Sequence, residues 1–350
     1  MSHELDFTKG KAAIAYKRDN GVPWHGHGGY IENGMTTEEI QKVAGLDFRI
    51  EKAPAIYRIP NPNFIEGDAE SPEMIERAFE NRAVIYRSDT GAALSVMSEN
   101  SYTPAQPIEL LDGLMQLVNG NGFEMDVAGA LSGGSVVWGL AKRKDELGEL
   151  PGGDVVLPYI LLLTSYNGKY ARTARATSVR VVCQNTVSLS ATMDAATTSK
   201  QRNSGEFDAD KLFAQLGEYD QAFANYVTYA KDMANQRLTS DMMKRFFTKL
   251  YMPDAFVQPD AWTKSAIDAD RKGVTANAKN KVAKLINLFI DSPGSNLPSA
   301  DGTLWGAVNA VTYYQDHIAN TRENKRWESA TIGQGNGLKD AAMSLALDMI

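Results

Sequence analysis

Hydrophobic positions recur along this chain at two spacings, and the change from one to the other divides it. From residue 83 to residue 194 they alternate with polar residues or run together over strand lengths, with glycine-centred turns between them. AVIYRSDTGAALSVMS predicts two strands around Asp89-Thr90-Gly91, and FEMDVAGALSGGSVVWGLAKR predicts two more around Gly133-Gly134. Between these hairpins, Leu110 or Leu111, Leu114, Leu117 and Val118 share a helical face, with Pro107 suited to the first turn and Gly120 or Gly122 to the end. A third hairpin is expected in VVLPYILLLTSYNGKYARTARATSVRVVCQNTVSLSAT, turning at Asn167-Gly168, because both residues tolerate the positive φ of a type I′ turn.

After the small, polar stretch 195–205 the spacing becomes three and four. Residues 210–236 predict one long amphipathic helix, and shorter helices are expected at 241–250, 274–290, 304–326 and 338–349. Before residue 80 there is a helix signal at 37–44, but Pro54, Pro60 and Pro62 otherwise predict extended arms and turns. The expected fold class is therefore α+β: an antiparallel β-sheet built from hairpins with a packed helix, followed by a mainly α-helical C-terminal region. The expected divisions are an irregular N-terminal arm at 1–80, the sheet-plus-helix core at 81–194 and the helical region at 206–350.

Composition narrows the function classes. Of 350 residues, 43% are hydrophobic and 23% charged, the balance of a globular protein with a sizeable core. No apolar run approaches the roughly 18 residues of a membrane span, and the N-terminus lacks the apolar segment of a signal peptide. The expectation is a protein of the host cell's cytoplasm, without a membrane partner. Cys183 is the single cysteine, which excludes an intramolecular disulfide and any multi-cysteine metal site. As a lone thiol without an evident activating base it reads as a packed residue.

Charge changes the picture further. The formal net charge is -7, yet no acidic residue occurs between Asp154 and Asp194 while Lys169, Arg172, Arg175 and Arg180 do. Strand alternation puts Arg172, Ala174, Ala176, Ser178 and Arg180 on one face, and Thr173, Arg175, Thr177 and Val179 on the other. Guanidinium forks separated by small residues suit phosphates, and Tyr166 and Tyr170 beside the turn could stack on bases. The candidate nucleic-acid-binding residues are thus Tyr166, Lys169, Tyr170, Arg172, Arg175 and Arg180. The same pattern fits an edge strand whose charges oppose aggregation. A second acid-free basic run, Arg271 to Lys284, fits the solvated face of an amphipathic helix.

Other chemistry finds less support. In NAVTYYQDH, Asp316 and His317 point about 100° apart on a helix, poor geometry for a catalytic dyad, so structural hydrogen bonding to the sheet is expected. His25 and His27 could share an ion but lack an evident third ligand. No phosphate-binding loop, dinucleotide fingerprint or nucleophile elbow occurs. No catalytic residue, metal ligand or cofactor is assigned, and the balance leans away from an enzyme.

Three ordered motifs carry a resemblance. YRSDTGAALSVMS with Tyr102 and Pro104, then SVRVVCQNT, then GTLWGAVNAVTYYQDH followed by Gly333, Gly335 and Leu338-Lys339, resemble the phage/plasmid-like family known as domain of unknown function 932. The Pro-Trp-His-Gly segment at 23–26 is similar to that family's N-terminal motif. The resemblance implies a mobile-element origin and supplies no activity. With the basic hairpin it gives the leading expectation: a nucleic-acid-binding accessory protein of a phage or plasmid, acting on single-stranded nucleic acid in annealing, recombination or replication. The alternative is a non-catalytic factor that binds a host or phage protein, for host takeover or counter-defence. Either could act as a homo-oligomer.

Overall fold

The computed structural model describes residues 5–17, 27–120, 122–144, 148–182, 185–188, 198–214, 219–251, 276–319 and 326–350. Its central element is strand β9, Asp154–Ser165, whose apolar run faces core on both sides: Ile160 and Leu162 on one, Leu161 and Leu163 on the other. Such a strand must be flanked as well as covered. On one side it pairs with β7 (Val136–Arg143), then β6 (Phe123–Leu131), β1 (Ile14–Tyr16) and β2 (Gly29–Tyr30). On the other it pairs with β10 (Arg172–Arg180), which is bordered in turn by β11 (Asn185–Ser188) and β12 (Thr198–Gln201). The short β8, Gly148–Leu150, pairs with the first residues of β9. Every pair is antiparallel except β1–β2.

Helix α2, Pro107–Gly120, lies across β6, β7 and β9. Leu110, Leu111, Leu114 and Leu117 are all buried, as their spacing predicts, and the close approach needs a glycine: a Cβ on Gly139 would stand 2.5 Å from Leu114 Cδ1. The other face of the sheet is closed by Leu5 and by Trp327 and Ile332 from a late helix. The architecture is α+β, with a C-terminal region that is mostly helical.

A second sheet holds β3 (Ile50–Pro60), β4 (Met74–Arg87) and β5 (Ala93–Ser98). Within 1–80 the expected helix appears as α1 (Thr37–Val43), and the rest of the expected irregular arm contains β1 and β2 and a strand through Pro54 and Pro60. The ribbon is anchored at its base by Arg87, which is fully buried, donates to Asp6, Asp89 and the Gly133 carbonyl, and lies 3.9 Å from the Phe48 ring. Strand β5 pairs with β4 only over residues 82–86. Beyond it the β3–β4 register shifts between Pro54 and Ile56, and Asn81 takes a φ of 58°. The distal two-stranded neck then runs from Ile56↔Ala78 to Pro60↔Met74 with both edges unpaired among the described residues.

The helices follow as α3 (Ala209–Ala214), α4 (Tyr219–Asn235), α5 (Ser240–Tyr251), α6 (Ala276–Ile290), α7 (Leu304–Tyr313), α8 (Arg326–Ile332) and α9 (Gln334–Leu347). The single helix expected over 210–236 is described as α3 and α4, with 215–218 outside the described residues. The helix expected over 304–326 ends earlier. It widens into a π-helical turn, Tyr314–Ile318, and leaves helical geometry at Ala319. Helix α9 begins before the expected residue 338, with Gly333 as its N-cap. Among the described residues no helix is long and apolar enough to cross a membrane.

Candidate functional site

The β9–β10 connection is longer than a two-residue turn. The ladder ends at Leu163↔Thr173, and of the pair Asn167-Gly168 only Gly168 has a positive φ, 76°. Asn167 instead accepts the Lys169 amide on its side chain, an Asx-type turn. Tyr166 is fully buried, which pushes its hydroxyl well above its usual range and removes its ring from any base. Tyr170 donates to Glu328 on α8, and Lys169 reaches the same carboxylate at 3.2 Å while remaining 45% exposed.

The alternation predicted for β10 holds, but one face is buried and the other is largely covered, with Arg175 and Val179 only partly exposed. Arg172, fully buried, donates to the carbonyls of Thr103, Gly205 and Glu206, and burial lowers its pKa. Arg180 binds Asp154 through Nε at 2.9 Å and through a terminal nitrogen at 2.8 Å, and also donates to the Gly294 carbonyl. Asp154 accepts Ser299 Oγ at 2.6 Å and Trp305 Nε1 at 3.1 Å as well. On the opposite face Arg175 donates to the Thr331 carbonyl at 2.7 Å and to Thr198 Oγ1, and burial lowers its pKa too. The open, positively charged ribbon expected from the sequence is therefore corrected. Strand β10 is an interior strand, and its arginines act as internal crosslinks that satisfy carbonyls and one buried carboxylate.

Those crosslinks assemble the recognised motifs. Asp316, on the π-helical turn, accepts the Thr186 amide of β11 at 2.8 Å and Lys339 Nζ of α9 at 2.8 Å, while Lys339, 1% exposed, also donates to the Thr186 carbonyl. Asp316 thus bonds to the sheet, as expected, and His317 stacks on Tyr313 with ring centroids 4.6 Å apart. Cys183 and Gln184 lie outside the described residues, as do His25, Arg271 and Lys272. His27 meets the Phe7 ring edge-on, and the described residues contain no cluster of three metal-ligating side chains.

Exposed bases are spread over the surface, Arg58, Lys169 and Arg237 among them, and one group with few acids beside it lies on α5 and α6. These helices pack antiparallel, with Phe247 against Phe289 and the Lys281 ammonium 5.2 Å from the Tyr251 ring. Together they carry Lys244, Arg245, Lys249, Lys279, Lys281 and Lys284 against one acid, Asp241. Lys249, Lys279 and Lys284 are exposed. The sequence showed the α6 half of this face. The α5 half was missed because its three bases are interleaved with the apolar Phe246, Phe247 and Leu250, and only packing sets the two runs side by side.

A family model described as a domain of unknown function (DUF932) matches residues 93–332, more than half of the chain. The chain belongs to this family. The match runs from β5 to the end of α8, so it contains β10, α5, α6 and the π-helical turn, and it leaves out the β3–β4 ribbon and Lys339. No curated protein matches the chain, and no solved structure matches it.

Proposed function

We propose that this protein is a nucleic-acid-binding accessory protein of a phage or plasmid and that it holds the phosphate backbone on the α5–α6 face. The observation that carries the reading is the concentration of six bases and one acid on two packed helices of a chain whose net charge is -7. Lysine ammonium groups neutralise phosphates and release condensed counterions, a driving force that needs a local patch and no favourable net charge. The resemblance of the three motifs to a phage/plasmid-like family supports the mobile-element setting. A role in single-strand annealing, recombination or replication fits a non-catalytic binder of this kind.

The test is fluorescence anisotropy of labelled single-stranded DNA, duplex DNA and RNA at two salt concentrations. Salt-sensitive binding that weakens in Lys249→Glu/Lys284→Glu, with the salt slope reduced by about 0.7–0.9 per lost phosphate contact, is the expected result. Absence of binding at low salt, or a double variant that binds like the parent, rejects the reading. A second reading, a protein-binding factor, is favoured by one observation: the neck and tip of the β3–β4 ribbon expose Ile56, Tyr57, Phe64, Ile65, Met74 and Phe79.

A further inference from the structure

Among the described residues the buried cationic side chains are Arg87, Arg172, Arg180 and Lys339. All but one meet a carboxylate. Arg87 pairs with Asp6 and Asp89, Arg180 with Asp154 at 2.8 Å, and Lys339 with Asp316 at 2.8 Å. Arg172 forms no ion pair among the described residues. Its terminal nitrogens donate only to neutral oxygens, the Thr103, Gly205 and Glu206 carbonyls and Gln201 Oε1. A buried charge without a counterion is disfavoured, and the two guanidiniums show the contrast. At Arg87 burial is outweighed by Asp89 and Asp6, and the pKa lies above its ordinary value; at Arg172 burial prevails over the pull of Glu109 and lowers it. The Glu109 carboxylate is engaged by the Gln106 amide at 2.7 Å.

Two polar atoms beside this charge have no partner. The Nε–H of Arg172 and the hydroxyl of Tyr166 are buried and make no hydrogen bond, and both residues are 0% exposed. They share a neighbourhood. Arg172 lies just beyond Leu163↔Thr173, the last pair of the β9–β10 ladder, on the face of Ala174, and Tyr166 packs in the cluster that contains Ala174 and Leu162. The Tyr102 hydroxyl and the Arg172 charge both act on Tyr166. Buried polar groups are almost always satisfied, so adjacent unpartnered ones mark the place of a bound species. Two donors at an uncompensated cation select an acceptor that carries negative charge. The surroundings set its size: the site is closed over by fully buried side chains, with the Phe207 ring 5.8 Å from the guanidinium, so a phosphate on a polymer is excluded and a monatomic anion fits.

We propose that Arg172 Nε and the Tyr166 hydroxyl bind a chloride ion inside the protein, where it supplies the countercharge that Asp154 supplies to Arg180. The ion completes a crosslink that joins β10 to Thr103, ahead of α2, and to Gly205 and Glu206, ahead of α3. It shares no residue with the α5–α6 face, so it stands or falls apart from the nucleic-acid reading.

The test is urea denaturation of the full chain as sodium chloride replaces sodium gluconate at fixed ionic strength, from about 5 to about 300 mM chloride. In the parent the unfolding equilibrium constant should fall as chloride rises, approaching about a tenfold fall per tenfold rise once the site fills. Tyr166→Phe removes one donor and keeps the ring, and the chloride needed for a given stabilisation should rise at least about tenfold. In gluconate the same variant should be as stable as the parent or more so, because it removes a buried hydroxyl that has no partner there. The order of the two proteins therefore changes with the anion, which a tyrosine of purely structural role would not produce. A second measurement identifies the species: crystals soaked in sodium bromide should show an anomalous peak bonded to Arg172 Nε and Tyr166 Oη. A parent indifferent to chloride, an equal chloride response in parent and variant, or a water in place of the bromide peak overturns the proposal.

Discussion

The β9–β10 hairpin carries Arg172, Arg175 and Arg180 and bonds all three inside the body, whereas the distal β3–β4 hairpin carries Ile56, Tyr57, Met74 and Phe79 and leaves all four at the surface. Composition alone would reverse them. The difference is one of position. Strand β10 has neighbours on both edges and layers on both faces, so whatever it carries must find partners within the protein. Among the described residues the neck of the β3–β4 ribbon has no third strand and no covering layer, so Ile56, Tyr57, Met74 and Phe79 face water. A basic residue in a strand thus marks a ligand surface only where the strand is also an edge.

The contrast is broken most severely by Arg180→Ala. Asp154 is fully buried and would keep Ser299 and Trp305 as donors but lose its countercharge, at a cost of about 3–5 kcal/mol. Urea denaturation checks this, and a loss below about 1 kcal/mol would mean that water reaches the pair.

A smaller effect separates charges held by the body from those of the ribbon. Burial alone would raise the Glu124 carboxyl, but Lys142 at 2.9 Å and Lys17 at 2.7 Å outweigh it and hold the pKa below its ordinary 4.5. Because the folded value is depressed, the stabilisation is complete above pH 4.5 and is lost as pH falls through the lowered value. Glu124→Gln should cost about 1 kcal/mol at neutral pH and flatten that part of the acid limb, read from denaturation midpoints between about pH 2 and pH 7. Parallel acid limbs for parent and variant would remove Glu124 from the account.

The smallest effect is expected where the hydrophobicity is greatest. Phe79 is 54% exposed and meets Tyr57 edge-on at 6.3 Å. Phe79→Ser should shift stability by less than about 1 kcal/mol, since it forfeits one exposed ring pair and opens no cavity. A loss comparable to that of Arg180→Ala would show that the neck packs against the body.

Much of the architecture was legible because it is local. Asp89-Thr90-Gly91 and Gly133-Gly134 do separate paired strands, with positive φ at Gly91, Gly133 and Gly134, and Pro107 does open the helix whose leucines bury. The site was less legible because its partners are remote in sequence: Arg180 meets the Gly294 carbonyl, Lys339 meets Thr186, and Tyr170 meets Glu328. One signal pointed the right way. VVLPYILLL is apolar at consecutive positions, which marks a strand covered on both faces, and the strand returning beside it shares that cover. The ribbon gave no such signal, since its alternation of apolar and charged residues suits a half-covered strand as well as a bare one.

The family match opens at residue 93, which is also the first residue of β5. Among the described residues β5 pairs only with β4, so the ladder that completes the first matched strand is supplied by a segment lying upstream of the match. The unit that is inherited as a recognisable pattern and the unit that folds thus have different edges. A truncation beginning at residue 93 would keep the whole matched pattern yet strip β5 of its ladder partner, whereas one that retains residues 82–87 would keep both the ladder and the Arg87 bond to the β6–β7 turn.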